Sequence, residues 1–218
     1  MQDNIQMAVP ADVAIESAFR QAGWSFDNKS MFKAKILVLG PCQSGKSVLS
    51  NFLADASESA SGDYQPTQGV RILEFEAGNL KAGNRSTSAE VELWDCSGDK
   101  KFEGCWPAIA RDTNGIVFVY SPEQPNHDKD LELWYDYFVQ QQGVRESCCI
   151  VFAHHRSNNY DPERPTLPGP FRKMQCIHTN IEDEGETVRR EFTNFLSTLL
   201  GAMSDKRDQE ELSIMNQR

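Results

Sequence analysis

No stretch of this sequence approaches the roughly 18 consecutive apolar residues that a membrane-spanning helix needs, and no secretory signal stands at its start. The cysteines Cys42, Cys96, Cys105, Cys148, Cys149 and Cys176 include no C-x-x-C pair, which speaks against a zinc ribbon or a thioredoxin-type redox centre. Scattered thiols in a domain of this size suit a reducing compartment. Positive charge is also in short supply. The formal net charge is −10, the wrong sign for a nucleic-acid binder that must neutralise phosphates and for a polybasic patch on an acidic membrane. No nucleic-acid partner is expected, and the acidic balance reads as solubility. The sequence ends Met215-Asn216-Gln217-Arg218 with no cysteine to prenylate, and residue 2 is glutamine. No direct lipid anchor is therefore expected, and a protein partner would have to hold the chain at any membrane or organelle.

What is present is enough for one domain with extensions: 218 residues, 39% of them hydrophobic. Residues 1–30 read as an extension. Val13, Ile15, Ala18 and Phe19 have helical spacing and Gly23 is a stop signal, which fits either a flanking helix or a helix for a partner. Residues 31–203 form the domain, and 204–218 a charged tail that continues the last helix or leaves it. Inside the domain, Ile36–Leu39, Ile116–Tyr120 and Cys149–Ala153 are apolar runs suited to buried strands. Val70–Glu76 and Ala89–Asp95 alternate and read as an antiparallel pair joined by a polar loop over Gly78–Ser88. Helices are expected over Val48–Ala54, Leu131–Val139 and Glu186–Leu200, and a last short strand over Met174–His178. Strands alternating with helices predict an α/β fold with a mostly parallel six-stranded sheet and one antiparallel edge strand.

Gly40-Pro41-Cys42-Gln43-Ser44-Gly45-Lys46-Ser47 matches G-x-x-x-x-G-K-[ST], after an apolar strand and opening a helix at Val48. Each fixed position has a physical reason. Glycine lets the backbone turn tightly and bring its N–H groups against phosphate. The helix start favours an anion through its dipole and unsatisfied N–H groups. Lys46 supplies a point charge to the outer phosphates, and Ser47 a hydroxyl to Mg²⁺. Gly40 to Val48 are the expected core of a nucleotide site.

Two further segments resemble those of small GTPases, whose fold is the P-loop, Ras-like domain. Trp94-Asp95-Cys96-Ser97-Gly98 follows a strand and resembles D-x-x-G. The resemblance implies Asp95 as a Mg²⁺ contact through water and the Gly98 N–H as the sensor of the γ-phosphate. Tyr64-Gln65-Pro66-Thr67-Gln68-Gly69 resembles the first switch segment, with Thr67 completing the metal shell. Ser47, Thr67 and Asp95 are thus the expected metal set, and order in these loops would depend on the γ-phosphate.

Three positions depart from that pattern. Asp99 stands where an active GTPase has the glutamine that positions water, so hydrolysis is expected at or below roughly 10⁻⁴ s⁻¹. His154-His155-Arg156-Ser157 replaces the guanine-reading N-K-x-D. The lost aspartate would accept two hydrogen bonds from the base, and their loss costs about two to four decades of affinity. Thr179-Asn180-Ile181 takes the place of S-A-K without its lysine, leaving a backbone N–H to meet the base. His154 and His155 read either as a solvated loop pair or as a contact to the base, with Ser157 beside them. Phe102 and Trp106 read either as packing under the second switch or as partner contacts.

The strings Pro66-Thr67-Gln68-Gly69-Val70-Arg71-Ile72-Leu73-Glu74-Phe75-Glu76, Leu93-Trp94-Asp95-Cys96, Cys105-Trp106-Pro107-Ala108, Phe138-Val139-Gln140-Gln141 and Ala153-His154-His155 are more specific. Together they resemble the Rab-like small GTPase subunit of intraflagellar transport complex B, the Rab-like five family, from about Lys33 to the tail. That family lacks the same glutamine and base-reading motif. The resemblance implies GTP or GDP with Mg²⁺ as cofactors and coiled-coil subunits of complex B as partners. It also implies a place in the cilium or flagellum and in the cytoplasm at the basal body. It favours a nucleotide-loaded binding module over a signalling GTPase whose partner supplies the catalytic group. An ATP-using P-loop kinase is a third reading, opposed by the antiparallel pair that leads straight into D-x-x-G.

Overall fold

The computed structural model describes residues 31–56, 65–83, 85–155, 167 and 169–215. The expected helix over 11–22, Tyr64, Ser157 and most of the proline-bearing loop lie outside the described residues.

Strands that are apolar on both faces need cover on both sides, and the sheet is built that way. Its order is β2-β3-β1-β4-β5-β6. β1 (Met31–Leu39), β3 (Arg85–Cys96), β4 (Gly115–Tyr120), β5 (Cys149–His154) and β6 (Gln175–Thr179) run parallel, and the edge strand β2 (Val70–Ala82) pairs antiparallel with β3. The expected six-stranded sheet is the observed one. Successive side chains of one strand enter different cores because their direction alternates. Ile36 and Val38 pack with Val117, Ile150 and Phe152 beneath α1 (Lys46–Leu53) and the C-terminal helix α4 (Ile181–Met215). Leu37 and Leu39 pack with Phe118 and Val151 against α2 (Trp106–Ala110) and α3 (His127–Tyr135).

Several boundaries differ from the sequence expectation. Gly78–Ser88 is not a loop: β2 and β3 pair through it to Ala82↔Arg85, with a register shift between Ala77 and Leu80. The shift turns Leu80 inward, where it is buried, and its burial overrides the polar composition around it. The inward face of β2 is Leu73, Phe75 and Ala77, whereas Ile72 is 47% exposed. α3 begins at His127 and widens into a π turn over Asp136–Gln140. The charged tail stays helical: α4, kinked at Glu184, runs to Met215 and carries Lys206–Glu210 and Arg207–Glu211 pairs at i,i+4.

Trp106 is buried, with its ring 5.1 Å from that of Tyr137 and 5.2 Å from that of Phe138. It packs under the second switch segment, which removes it as a partner contact. Phe102 is half-buried.

Candidate functional site

The loop after β1 is shaped by close approaches that only glycine permits. Gly45 has φ 95°, and a Cβ there would stand 2.3 Å from His154 Cδ2. A Cβ on Gly98 would meet the backbone N of Cys42 at 2.4 Å. The D-x-x-G segment therefore lies directly on the loop. α1 opens at Lys46 behind Gly45, which has no side chain to cap the first N–H groups.

Lys46 is buried, and its Nζ donates to the carbonyls of Gly40 at 2.9 Å and Pro41 at 2.7 Å. Burial pulls its pKa down to about 8 against the opposing charge of Asp95. An ammonium held on neutral carbonyls beside uncapped N–H groups is a receptor for an anion.

Three oxygens converge next to it. Ser47 Oγ lies 3.0 Å from Thr67 Oγ1, which donates to Asp95 Oδ2 at 3.2 Å. Asp95 is fully buried at the end of β3, and its Oδ1 has no hydrogen-bond partner among the described residues. Burial raises its carboxyl above the ordinary range, opposed by Ser47, Lys46, Arg71 and Thr67. Two hydroxyls and a carboxylate with an unsatisfied oxygen fit a hard divalent cation such as Mg²⁺. The expected metal set is thus brought together from α1, the segment before β2, and β3.

Lys46, Ser47 and Thr67 line a cavity of about 230 Å³ bounded by Cys42–Val48, Gln65–Thr67, Ser97 and Gly98, with Asp95 buried behind Thr67. Gln43, Gly45 and Val48 also border a second cavity of about 380 Å³, whose other walls are His154, His155, Asn180, Ile181 and Glu182. The two cavities adjoin across Gln43, Gly45 and Val48 and together make a groove with a lysine-and-hydroxyl end and a histidine-lined end. Gly40 and Pro41 serve it through the carbonyls that hold Lys46. Thr179 stands behind it, fully buried, with its carbonyl accepting the His155 N–H at 2.9 Å.

The histidine pair is not solvated. His155 is 2% exposed; its Nδ1 lies 2.8 Å from Glu123 Oε1 and its Nε2 3.0 Å from His178 Nδ1. Glu123 also accepts from Ser121 Oγ at 2.6 Å. In the segment expected to offer a backbone N–H to a base, that of Asn180 donates to Glu184 Oε2 at 3.3 Å, while Asn180 Oδ1 accepts the Glu182 N–H. This reciprocal cap starts α4 and takes the donor away from the cavity. Asp99 turns to its own short helix: Oδ1 accepts the Lys101 N–H at 3.0 Å and Oδ2 pairs with Lys101 Nζ at 3.0 Å. Those bonds hold its carboxyl below the usual range.

Glu123, His178, Glu184 and Arg71 escaped the sequence reading. Only for Arg71 was there a signal: period two places it on the inward face with Leu73 and Phe75, where a charge needs a partner. A larger groove of about 520 Å³ near Lys33, Lys35, Trp94 and Arg111 contains no residue of the phosphate loop and none of Ser47, Thr67 and Asp95. Lys33 is paired with Glu92 at 2.7 Å, and Lys35 lies over the Trp94 ring and donates to the Arg111 carbonyl.

Comparison with known proteins agrees with this geometry. The family model described as Ras of Complex, Roc, domain of DAPkinase matches residues 35–157. The intraflagellar transport protein 22 homolog of Danio rerio is 49% identical over 186 residues, 85% of this chain and 100% of that protein. The GTP-bound crystal structure of T. brucei IFT22/74/81 is matched with a TM-score of 0.65 at 30% identity, over 80% of this chain and 98% of that one. The GDP-bound T. brucei IFT22 structure is matched at 0.61 and 28% identity, over 78% and 98%. A Ras-like domain with its phosphate loop intact and its base-reading motif replaced, aligned over the whole length of such a relative, belongs to the family of the intraflagellar transport protein 22 homologues.

Proposed function

We propose that the groove binds GTP or GDP together with Mg²⁺, and that the loaded protein acts as a docking module of intraflagellar transport complex B with little turnover of its own. The convergence of Lys46, Ser47 and Thr67 on one cavity, with Asp95 accepting the Thr67 hydroxyl behind it, carries this reading. Lys46 leaves the Gly40 and Pro41 carbonyls for the outer phosphates, and the loop from Gly40 to Val48 presents its N–H groups to them. Ser47, Thr67 and Asp95 hold the metal, which when bound neutralises phosphate charge. Gly98, already against the loop, brings its N–H to the γ-phosphate. His154, His155 and Asn180 would border the base, with Thr179 supporting His155 from behind; Ser157 lies outside the described residues. Asp99, committed to Lys101 and carrying negative charge, leaves attacking water without an orienting group.

Within the family, the T. brucei structure holds IFT22 with 74 and 81. This chain would likewise dock on complex B subunits of coiled-coil character, in the cilium or flagellum and from a cytoplasmic pool at the basal body.

The test is a titration of the purified chain with fluorescent GTP, GDP and ATP, with and without Mg²⁺, followed by single-turnover hydrolysis. Tighter, Mg²⁺-assisted GTP binding with hydrolysis at or below roughly 10⁻⁴ s⁻¹ is expected. Absent binding, or equal affinity for ATP, would remove the guanine-nucleotide reading.

A further inference from the structure

Arg71 stands directly opposite Asp95 in the antiparallel ladder of β2 and β3. It shares the face of Leu73 and Phe75, which turns toward α1. There its Nη2 donates to Asn51 Oδ1 at 2.5 Å and lies 3.4 Å from Asp95 Oδ2. Asn51 belongs to α1, one turn beyond Ser47. The guanidinium therefore joins the interior of the phosphate-loop helix to the carboxylate of the metal set.

A fully buried carboxylate is stable as an anion only beside a positive charge. Two cations lie near Asp95. Lys46 spends its hydrogen bonds on the loop carbonyls, whereas Arg71 reaches a carboxylate oxygen itself. An arginine keeps its charge at every accessible pH, so this partner is permanent.

We propose that Arg71 is an internal counter-ion of Asp95 that stands in for the divalent cation in the nucleotide-free protein. The site then holds nucleotide with less help from Mg²⁺ than it would with a neutral residue at position 71. The proposal rests on the nucleotide and Mg²⁺ reading above. A divalent cation entering between Ser47, Thr67 and Asp95 meets a carboxylate already shared with a fixed positive charge, which weakens its binding. Without the metal, incoming phosphates meet an aspartate already neutralised, which spares part of the repulsion. Both effects shrink the ratio of nucleotide affinity with Mg²⁺ to that in EDTA.

The experiment measures the dissociation constant of fluorescent GTP in excess Mg²⁺ and in EDTA, for the full chain and for Arg71→Gln. The affinity ratio should be about tenfold larger in the variant, the size of one charge interaction partly screened by solvent. Thermal unfolding of the nucleotide-free proteins gives a second readout. Arg71→Gln should melt lower than the parent and recover most of the difference when Mg²⁺ and GTP are added together. Asn51→Ala, which keeps the charge and loses only its tether, should fall between the two and serves if Arg71→Gln does not fold. Equal ratios in parent and variants, with GTP still bound, overturn the role of Arg71 and leave the nucleotide reading standing. A parent that binds no GTP in Mg²⁺ overturns the nucleotide reading itself.

Discussion

The imidazole of His154 covers Gly45, so closely that a Cβ on the glycine would stand 2.3 Å from His154 Cδ2. The residue that replaces the first base-reading position is thus packed onto the phosphate loop, coupling the two ends of the groove. Gly45→Ala should lower stability by about 1–2 kcal/mol for the left-handed backbone alone, and by more for the clash. Adding His154→Ala should return the clash component and leave the backbone component. Urea unfolding of the two variants and the parent measures both, and identical midpoints for the single and double variants would show that the ring yields freely.

Nucleotide affinity should depend on pH through Lys46. Its pKa in the free protein is pulled down to about 8 by burial, and a bound polyphosphate would raise it. Binding then takes up a proton between the two values. Affinity is full below about 8 and falls as pH rises above it. Titrations with fluorescent GTP from pH 6.5 to 9.5 should show this decline, and Lys46→Ala should abolish binding while leaving the far-ultraviolet circular dichroism unchanged. A flat profile would place the proton elsewhere.

Trp106 and Phe102 should separate cleanly. Trp106 is packed against Tyr137 and Phe138, and Trp106→Ala should cost about 3–5 kcal/mol in urea unfolding. Phe102→Ala, at a half-buried position, should cost less than about 1.5 kcal/mol. Similar losses for both would contradict the packing described for the second switch segment.

The Glu123–His155–His178 chain should give the protein an acid-sensitive limb. Burial, then the neighbouring His155, holds His178 below the ordinary imidazole value of 6.5. The unfolded chain therefore binds more protons just below 6.5, and stability falls as pH drops through that value. Burial raises Glu123, but hydrogen bonds from Ser121 and His155 outweigh it and leave its pKa below 4.5. Its contribution is lost in the same direction at lower pH. Melting temperatures from pH 7.5 to 4 should decline in the parent, and His178→Asn should remove the upper part of the decline. An unchanged acid limb in that variant would assign it to other groups.

The phosphate end of the site was legible because its determinants are local. A G-x-x-x-x-G-K-S string between an apolar strand and a helix forces a loop with converging N–H groups, whatever surrounds it. The parallel sheet was legible for the same reason, since strands buried on both faces must be apolar throughout, as Ile116–Tyr120 is. Thr67 and Asp95 could be set beside Ser47 only through resemblance, because nothing along the chain measures the distance from residue 47 to residue 95. The tertiary structure alone decided the rest. Leu80 became a strand residue because a register shift turned it toward the core, and Trp106 became core because Tyr137 and Phe138 lie across it. His155 found Glu123 and His178 from three separate strand ends, and Arg71 found Asp95 across a ladder whose register no local pattern specifies. Motifs and apolar runs are written in neighbouring residues, whereas the partner of a buried charge is settled by which strands lie side by side.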